Sequence, residues 1–93
     1  MEVKFAVVYA EAVVRNDIPK LSSPVKKRIK AAIEAKLMVS PDVYGKPLRR
    51  SLRGYRSLRV GDYRVIYRIE SDKWIIKVYV IKHRSVAYKV VEG

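Results

Sequence analysis

Apolar positions in the first half of the chain follow a short extended pattern and then two helical ones. Residues 2–8 (EVKFAVV) are rich in β-branched and aromatic types, which favours a strand. Residues 9–16 change to helical spacing, which predicts a first helix. A second helix is predicted to begin with Ser23 as its N-cap and Pro24 at its first position, and to end at Ser40-Pro41. Its apolar stripe consists of Val25, Ile29, Ala32, Ile33 and Leu37.

The second half of the chain changes to a period of two, which is typical of strands. Three strands are predicted over residues 55–60, 63–70 and 74–82. Tight turns at Gly61-Asp62 and Ser71-Asp72-Lys73 join them in antiparallel order.

The alternation within these strands predicts a sheet with one apolar and one cationic face. One face of the middle strand carries Tyr63, Val65, Tyr67 and Ile69, and the other carries Arg64, Ile66, Arg68 and Glu70. The predicted core face of the last strand carries Trp74, Ile76, Val78 and Val80. We therefore expect an α+β fold, in which an N-terminal strand and an αα-hairpin pack on a small antiparallel sheet.

Composition narrows the class of protein. The 93 residues suffice for one domain, which we assign to residues 1–93. The absence of cysteine excludes disulfides and cysteine-based zinc sites, and one histidine makes a histidine-rich metal site improbable. We expect no metal and no cofactor. No apolar run approaches the ~20 residues of a membrane span, and the N-terminus does not resemble a signal peptide. The expected location is the cytoplasm.

Charge gives the first indication of a partner. The chain has 21 Lys and Arg residues against nine Asp and Glu residues, a net charge of +12. Such a field attracts polyanions. Residues 46–68 hold eight basic residues and one acidic residue, a net +7. Those basic residues are Lys46, Arg49, Arg50, Arg53, Arg56, Arg59, Arg64 and Arg68.

The candidate chemistry follows from the catalytic motifs that the chain lacks and from its excess of arginine. It shows no nucleophile elbow, no glycine-rich phosphate loop and no evident pair of catalytic carboxylates. Arginine-rich strands suit phosphate esters, because the guanidinium fork matches a phosphate. Cleavage of RNA by its own 2′-hydroxyl needs a proton acceptor, a proton donor and cations around the phosphorane. His83, beside Arg84, has the only side chain whose ordinary pKa lies near neutral pH.

Three groups of residues resemble a known family. They are Gly45-Lys46-Pro47-Leu48, the strings LRGY over residues 52–55 and LRVGDYRVIY over residues 58–67, and His83-Arg84 with Tyr88. Together they resemble the RelE/ParE toxin superfamily of toxin–antitoxin systems. The resemblance implies a microbial-ribonuclease-like fold and an acidic cognate antitoxin as partner. RelE members cleave mRNA in the ribosomal A site, whereas ParE members inhibit DNA gyrase without nuclease activity.

The resemblance also implies roles for individual residues. Arg64 and Arg84 resemble the arginines that stabilise the transition-state phosphate, and Tyr88 the tyrosine that stacks on or deprotonates the substrate. Ser57 stands where RelE has a strand lysine, so we assign acid–base chemistry to His83. The remaining basic residues are predicted to bind RNA: Lys46, Arg49, Arg50, Arg53, Arg56, Arg59 and Arg68.

The leading interpretation is a metal-independent endoribonuclease that works on the ribosome and mRNA. A gyrase inhibitor of ParE type and a catalytically inactive basic module that binds only RNA or its antitoxin are the alternatives.

Overall fold

The computed structural model describes residues 4–87 and contains a five-stranded sheet with the order β1-β5-β4-β3-β2. Its strands are β1 (Ala6–Tyr9), β2 (Lys46–Pro47), β3 (Arg56–Val60), β4 (Tyr63–Glu70) and β5 (Ile75–His83). The α-helices are α1 (Ser23–Ala32) and α2 (Pro41–Tyr44). Shorter helical segments are the π-helical Val13–Asp17 and Ile33–Leu37 and the 3₁₀ turns Ile18–Lys20, Arg50–Leu52 and Ser71–Lys73. None of the described helices is long and apolar enough to cross a membrane.

The α+β class is confirmed, but the sheet is larger and more mixed than the alternation predicted. β3, β4 and β5 pair in antiparallel fashion as expected, and β4 has the predicted bounds. β1 joins the sheet parallel to β5, and β2 adds a two-residue edge strand beside β3. The sequence analysis missed β2 because two residues are too few to show an alternating pattern.

The second predicted helix, α1, begins one residue earlier than predicted. Ser22, not Ser23, is the N-cap of α1, since its hydroxyl accepts a hydrogen bond from the Val25 amide at 3.4 Å. The helix continues through the π-helical segment to Leu37, and Pro41 opens α2 instead of ending α1. The predicted stripe faces the sheet, with Ile29, Ile33 and Leu37 in the main core and Val25 and Ala32 partly buried against it.

The two faces of β4 are divided as predicted, but β5 departs from its expected alternation. Val65 and Tyr67 belong to the core under the helices, whereas Ile66 belongs to a smaller cluster on the opposite face. A β-bulge lies where the pairing passes from Ile66↔Val80 to Tyr67↔Val78, so β5 contains an extra residue, Tyr79. Val80 therefore packs with Ile66 on the opposite face, and the prediction that it lies under the helices is wrong.

Trp74 is also placed differently from the prediction. It precedes β5 in a left-handed conformation with φ 55°, and 49% of it is exposed. Its ring centre lies 4.9 Å from that of Phe5, so it covers the end of the sheet near β1 and is not a core residue.

A buried carboxylate connects the first helical segment to the far end of β5. Asp17 is 5% exposed and its oxygens accept hydrogen bonds from the Ile81 amide at 3.0 Å and the Lys82 ammonium at 2.6 Å. Ile81 lies beyond the part of β5 that pairs with β1. Asp17 therefore satisfies a backbone donor at the free edge of the sheet, and Lys82 balances its charge.

Candidate nucleic-acid interface

A cationic groove of about 370 Å³ lies on the face of the sheet away from the helices. It is lined by Tyr44, Lys46, Pro47, Leu48, Ser57, Arg59 and Arg64. Adjacent strands bring the charges together: Lys46 on β2 pairs with Ser57 on β3, and Arg59 on β3 pairs with Arg64 on β4. Because directly opposed residues of antiparallel strands project to the same face, these side chains converge.

The electrostatics of the groove favour an anion. Arg59 and Arg64 are directly opposed like charges, an arrangement that destabilises a sheet unless a negative group lies between them. Ion pairs between described residues are limited to Arg15–Glu11 and Lys82–Asp17, which lie elsewhere. Within residues 4–87, Arg64 Nη1 donates to the Tyr63 carbonyl at 3.3 Å and Arg59 Nε donates to the Gly61 carbonyl at 3.4 Å. Each guanidinium has five N–H donors, so within that range most of their donors are not used by the protein.

The rim formed by α2 and β2 is held from the helix side of the sheet. The Tyr67 hydroxyl donates to the Pro41 carbonyl at 2.6 Å. Arg56 Nη2 donates to the Asp42 carbonyl at 2.7 Å and also to the Gly45 carbonyl. Gly45 lies so close to the Tyr67 ring that a Cβ there would collide with it. Burial raises the pKa of the Tyr67 phenol, which keeps the donating proton in place.

Arg56 is therefore not part of the groove. Its guanidinium is engaged by two carbonyls, and its buried Nε has no hydrogen-bond partner among the described residues. The sequence analysis counted Arg56 among the RNA-binding residues; the structure places its guanidinium at the rim, where it anchors two carbonyls, and its RNA-binding role stays a prediction. Its position two residues before the core residue Leu58 was the available signal, since alternate strand residues share a face.

The structure does not bring His83 into the groove. His83 pairs with Tyr63, and the two rings meet edge to face with centres 5.7 Å apart. Tyr63 packs on the core under the helices, so His83 projects to the face opposite Arg64. Its Nδ1 lies 3.0 Å from the Ser85 hydroxyl, and the ring is exposed.

Arg84 and Tyr88, the other predicted catalytic residues, follow β5. The Arg84 amide donates to the Asp62 carbonyl at 2.8 Å, which puts this exposed residue beside the β3–β4 turn, the end of the sheet where Arg64 lies. Tyr88 is outside the described residues, so its predicted role remains a prediction.

The remaining predicted RNA-binding residues lie outside the lining of the groove, on the loop after β2 and on β4. Arg49, Arg50 and Arg53 are exposed on the loop between β2 and β3. Arg68 is exposed on the same face as Arg64, with its guanidinium 5.9 Å from the centre of the Tyr55 ring.

The sequence analysis gave no catalytic role to two residues that line the groove, Tyr44 and Lys46. Tyr44, which is half exposed, had no assignment, and Lys46 was grouped with the RNA-binding residues. As residue types, tyrosine and lysine can exchange a side-chain proton, whereas arginine keeps its proton. The adjacency of Lys46 to Ser57 results from β2–β3 pairing, and no local sequence pattern shows it.

Comparison with known proteins identifies similar chains. The family model described as "ParE toxin of type II toxin-antitoxin system, parDE" matches residues 10–88. Toxin RelE of Mycobacterium tuberculosis is 32% identical over 79 residues, covering 85% of this chain and 81% of that protein. Toxin RelG of the same organism is 33% identical over 75 residues, covering 81% of this chain and 86% of that protein. The crystal structure of the toxin-antitoxin complex RelBE2 from M. tuberculosis matches with a TM-score of 0.82 and 30% identity, covering 91% and 97% of the two chains.

Proposed function

The chain belongs, as a RelE-type toxin, to the RelE/ParE superfamily of type II toxin–antitoxin systems, and on that premise we propose that it is a ribosome-dependent endoribonuclease. The observation that carries this proposal is the groove in which Lys46, Arg59 and Arg64 converge without an ion-pairing carboxylate among the described residues. A phosphodiester of mRNA in the ribosomal A site is the anion that we assign to it.

The proposed reaction is attack of the 2′-oxygen on the adjacent phosphorus. The P–O5′ bond breaks, leaving a 2′,3′-cyclic phosphate and a 5′-hydroxyl. Arg59 and Arg64 would donate hydrogen bonds to the phosphorane oxygens, where charge develops. The proton of the 2′-hydroxyl passes to solvent in the open groove, and the Lys46 ammonium donates a proton to the leaving O5′.

This assignment transfers acid–base chemistry from His83 to Lys46. Lys46 lines the same groove as both arginines, whereas His83 projects from the other face. Lys46 also lies opposite Ser57, the position at which the resemblance indicates a missing lysine. A cation on the neighbouring strand would thereby replace the one absent from β3.

An acidic antitoxin is the proposed partner, in keeping with the toxin–antitoxin complex of the similar M. tuberculosis protein. A second, apolar groove of about 300 Å³ lies on the helix side of the sheet. It is lined by Tyr9, Ile18, Leu21, Lys26, Ile29, Lys30, Ile33 and Ile81. We assign it to an amphipathic antitoxin segment whose apolar side chains fill the groove and whose carboxylates meet Lys26 and Lys30.

Brief induction of the toxin followed by mapping of mRNA 5′ ends tests the proposed function. We expect cuts at positions set by the reading frame in cells that express the wild-type chain, and none with Arg64→Ala at equal protein level. The match to the ParE model favours inhibition of DNA gyrase as the second candidate function. Inhibited supercoiling by purified gyrase, together with an uncut transcriptome, would establish that alternative.

A further inference from the structure

Two partly buried tyrosine rings lie on the face of the sheet opposite the helices, packed against the cluster of Ile66, Val80 and Ala87. The Tyr55 and Tyr79 rings meet edge to face, with their centres 5.2 Å apart. Each carries a cation: the Arg68 guanidinium is 5.9 Å from the Tyr55 ring centre, and the Lys77 ammonium is 5.3 Å from that of Tyr79. We call these four side chains the aromatic platform.

A β-bulge shapes the surroundings of Tyr79. Alternation from the core residues Ile76 and Val78 already places Tyr79 on the face of the sheet away from the helices. The bulge at Tyr79 directs Val80 to that same face, where Tyr79 and Val80 both pack with Ile66. The bulge thus gives the Tyr79 ring an apolar neighbour that strict alternation would have placed under the helices.

The charges of the platform are not balanced by described carboxylates. Arg68 and Lys77 are directly opposed across β4 and β5, and neither forms an ion pair with another described residue. Two like charges in this register destabilise the sheet slightly. An arrangement made only for packing would not need them, whereas a polyanion that also offers flat apolar rings would engage both the cations and the tyrosines.

We propose that the aromatic platform binds bases of single-stranded RNA by stacking, with Arg68 and Lys77 contacting the flanking phosphates. Aromatic side chains on an open sheet, interleaved with cations, are a general means of holding unpaired bases. Arg68 and Arg64 are four residues apart on β4, about 13 Å at the usual rise per strand residue. A single RNA strand lying along the face would therefore reach both the platform and the groove.

That connection between the two sites rests on the proposed function, but binding to the platform does not. The test uses a short single-stranded RNA with 2′-O-methyl groups, which cannot be cleaved by 2′-hydroxyl attack. One base is replaced by 2-aminopurine, whose fluorescence is quenched when it stacks. Quenching and affinity are measured for the wild-type chain, for Tyr55→Leu and Tyr79→Leu, and for the matched variants Tyr55→Phe and Tyr79→Phe.

We expect each leucine variant to lose roughly 5- to 150-fold in affinity, the range for one stacked base, together with the quenching. Each phenylalanine variant should bind within about twofold of wild type, because it keeps the aromatic ring. If a leucine variant unfolds, Arg68→Gln and Lys77→Gln replace it, since these changes leave the rings in place. These variants should weaken RNA binding and reduce the slope of affinity against salt.

Several results would overturn the proposal. Leucine variants that bind and quench like wild type exclude stacking, and phenylalanine variants as weak as the leucine ones attribute binding to the hydroxyls. Leucine variants that lose affinity only for an acidic peptide reassign the platform to a protein partner. Quenching by a wild-type chain that never cuts mRNA refutes the nuclease proposal alone, so the two failures are distinguishable.

Discussion

The most direct test of the groove is Arg64→Ala. If Arg64 donates to the phosphorane, its loss should slow cleavage by about 10²- to 10³-fold, the effect of removing one preorganised donor. Its folding role is small, because its hydrogen bond to the Tyr63 carbonyl is long, at 3.3 Å. Removing it also relieves repulsion from Arg59, which is worth roughly 0.2–1 kcal/mol for directly opposed charges. The free energy of unfolding should therefore change by less than about 1 kcal/mol.

The assay is single-turnover cleavage of mRNA on programmed ribosomes, with thermal unfolding of the same preparations. Arg64→Lys keeps the charge but not the planar fork, so we expect it to recover only part of the rate. Arg15→Ala is the matched control, because it removes one positive charge at an exposed ion pair outside the groove. Undiminished cleavage by a folded Arg64→Ala chain would refute the reasoning, as would an equal loss with Arg15→Ala.

Three further predictions concern proton transfer and stability. Lys46→Met should slow single-turnover cleavage by about 10²- to 10⁴-fold, and Lys46→Arg should not recover the rate, because arginine does not give up its proton. His83→Gln should cut at the wild-type rate. A slow His83→Gln chain beside a fast Lys46→Met chain would assign the proton transfer to His83 instead. Tyr67→Phe should flatten the alkaline loss of stability measured by urea unfolding. Because burial raises its folded pKa, the unfolded chain ionises Tyr67 first, and stability that is present below about pH 10 is lost as the pH rises through the folded value. Asp17→Ala should lower the free energy of unfolding by about 3–5 kcal/mol. Asp17→Asn should lower it by less, because the side-chain oxygen of asparagine still accepts a hydrogen bond from the Ile81 backbone N–H. Equal losses in the two variants would show that the ion pair with Lys82 matters most.

The local pattern of apolar and polar residues was sufficient to predict which face each side chain occupies wherever a strand alternates strictly. The faces of β4 follow from period two, and Gly61 provides the positive φ of 60° that its turn requires. The alternation failed at Val80 because a bulge depends on how β5 pairs with β4, and no residue type within β5 specifies that pairing. Trp74 was misplaced for a similar reason, since a bulky residue at positive φ is uncommon and its apolar character suggested the core.

The sequence analysis predicted that the candidate site is cationic, but it did not predict which residues line it. Counting arginines in residues 46–68 identified a cationic segment, but the count does not tell to which face of the sheet each side chain projects. Arg56 and Arg59 are three residues apart on β3 and therefore project to opposite faces, one to the rim anchor and one to the groove. Likewise, His83 was selected for its ordinary pKa near neutral pH, and pairing with Tyr63 decided that it lies away from Arg64.

The positions of the two grooves constrain how an antitoxin would inhibit. The apolar groove lies on the helix side of the sheet, and the cationic groove lies on the other face. An antitoxin segment bound only in the apolar groove would leave Arg59 and Arg64 accessible, so the complex would still bind a short RNA. The antitoxin would then inhibit only by steric exclusion of the complex from the ribosome. A segment that also crosses the open face would exchange carboxylates for phosphates on the same cations, and RNA and antitoxin would compete with a shared dependence on salt. Because +7 of the net charge of +12 lies in residues 46–68, where RNA is proposed to lie, we expect competition. Retained binding of short RNA by the purified complex would instead limit inhibition to steric exclusion.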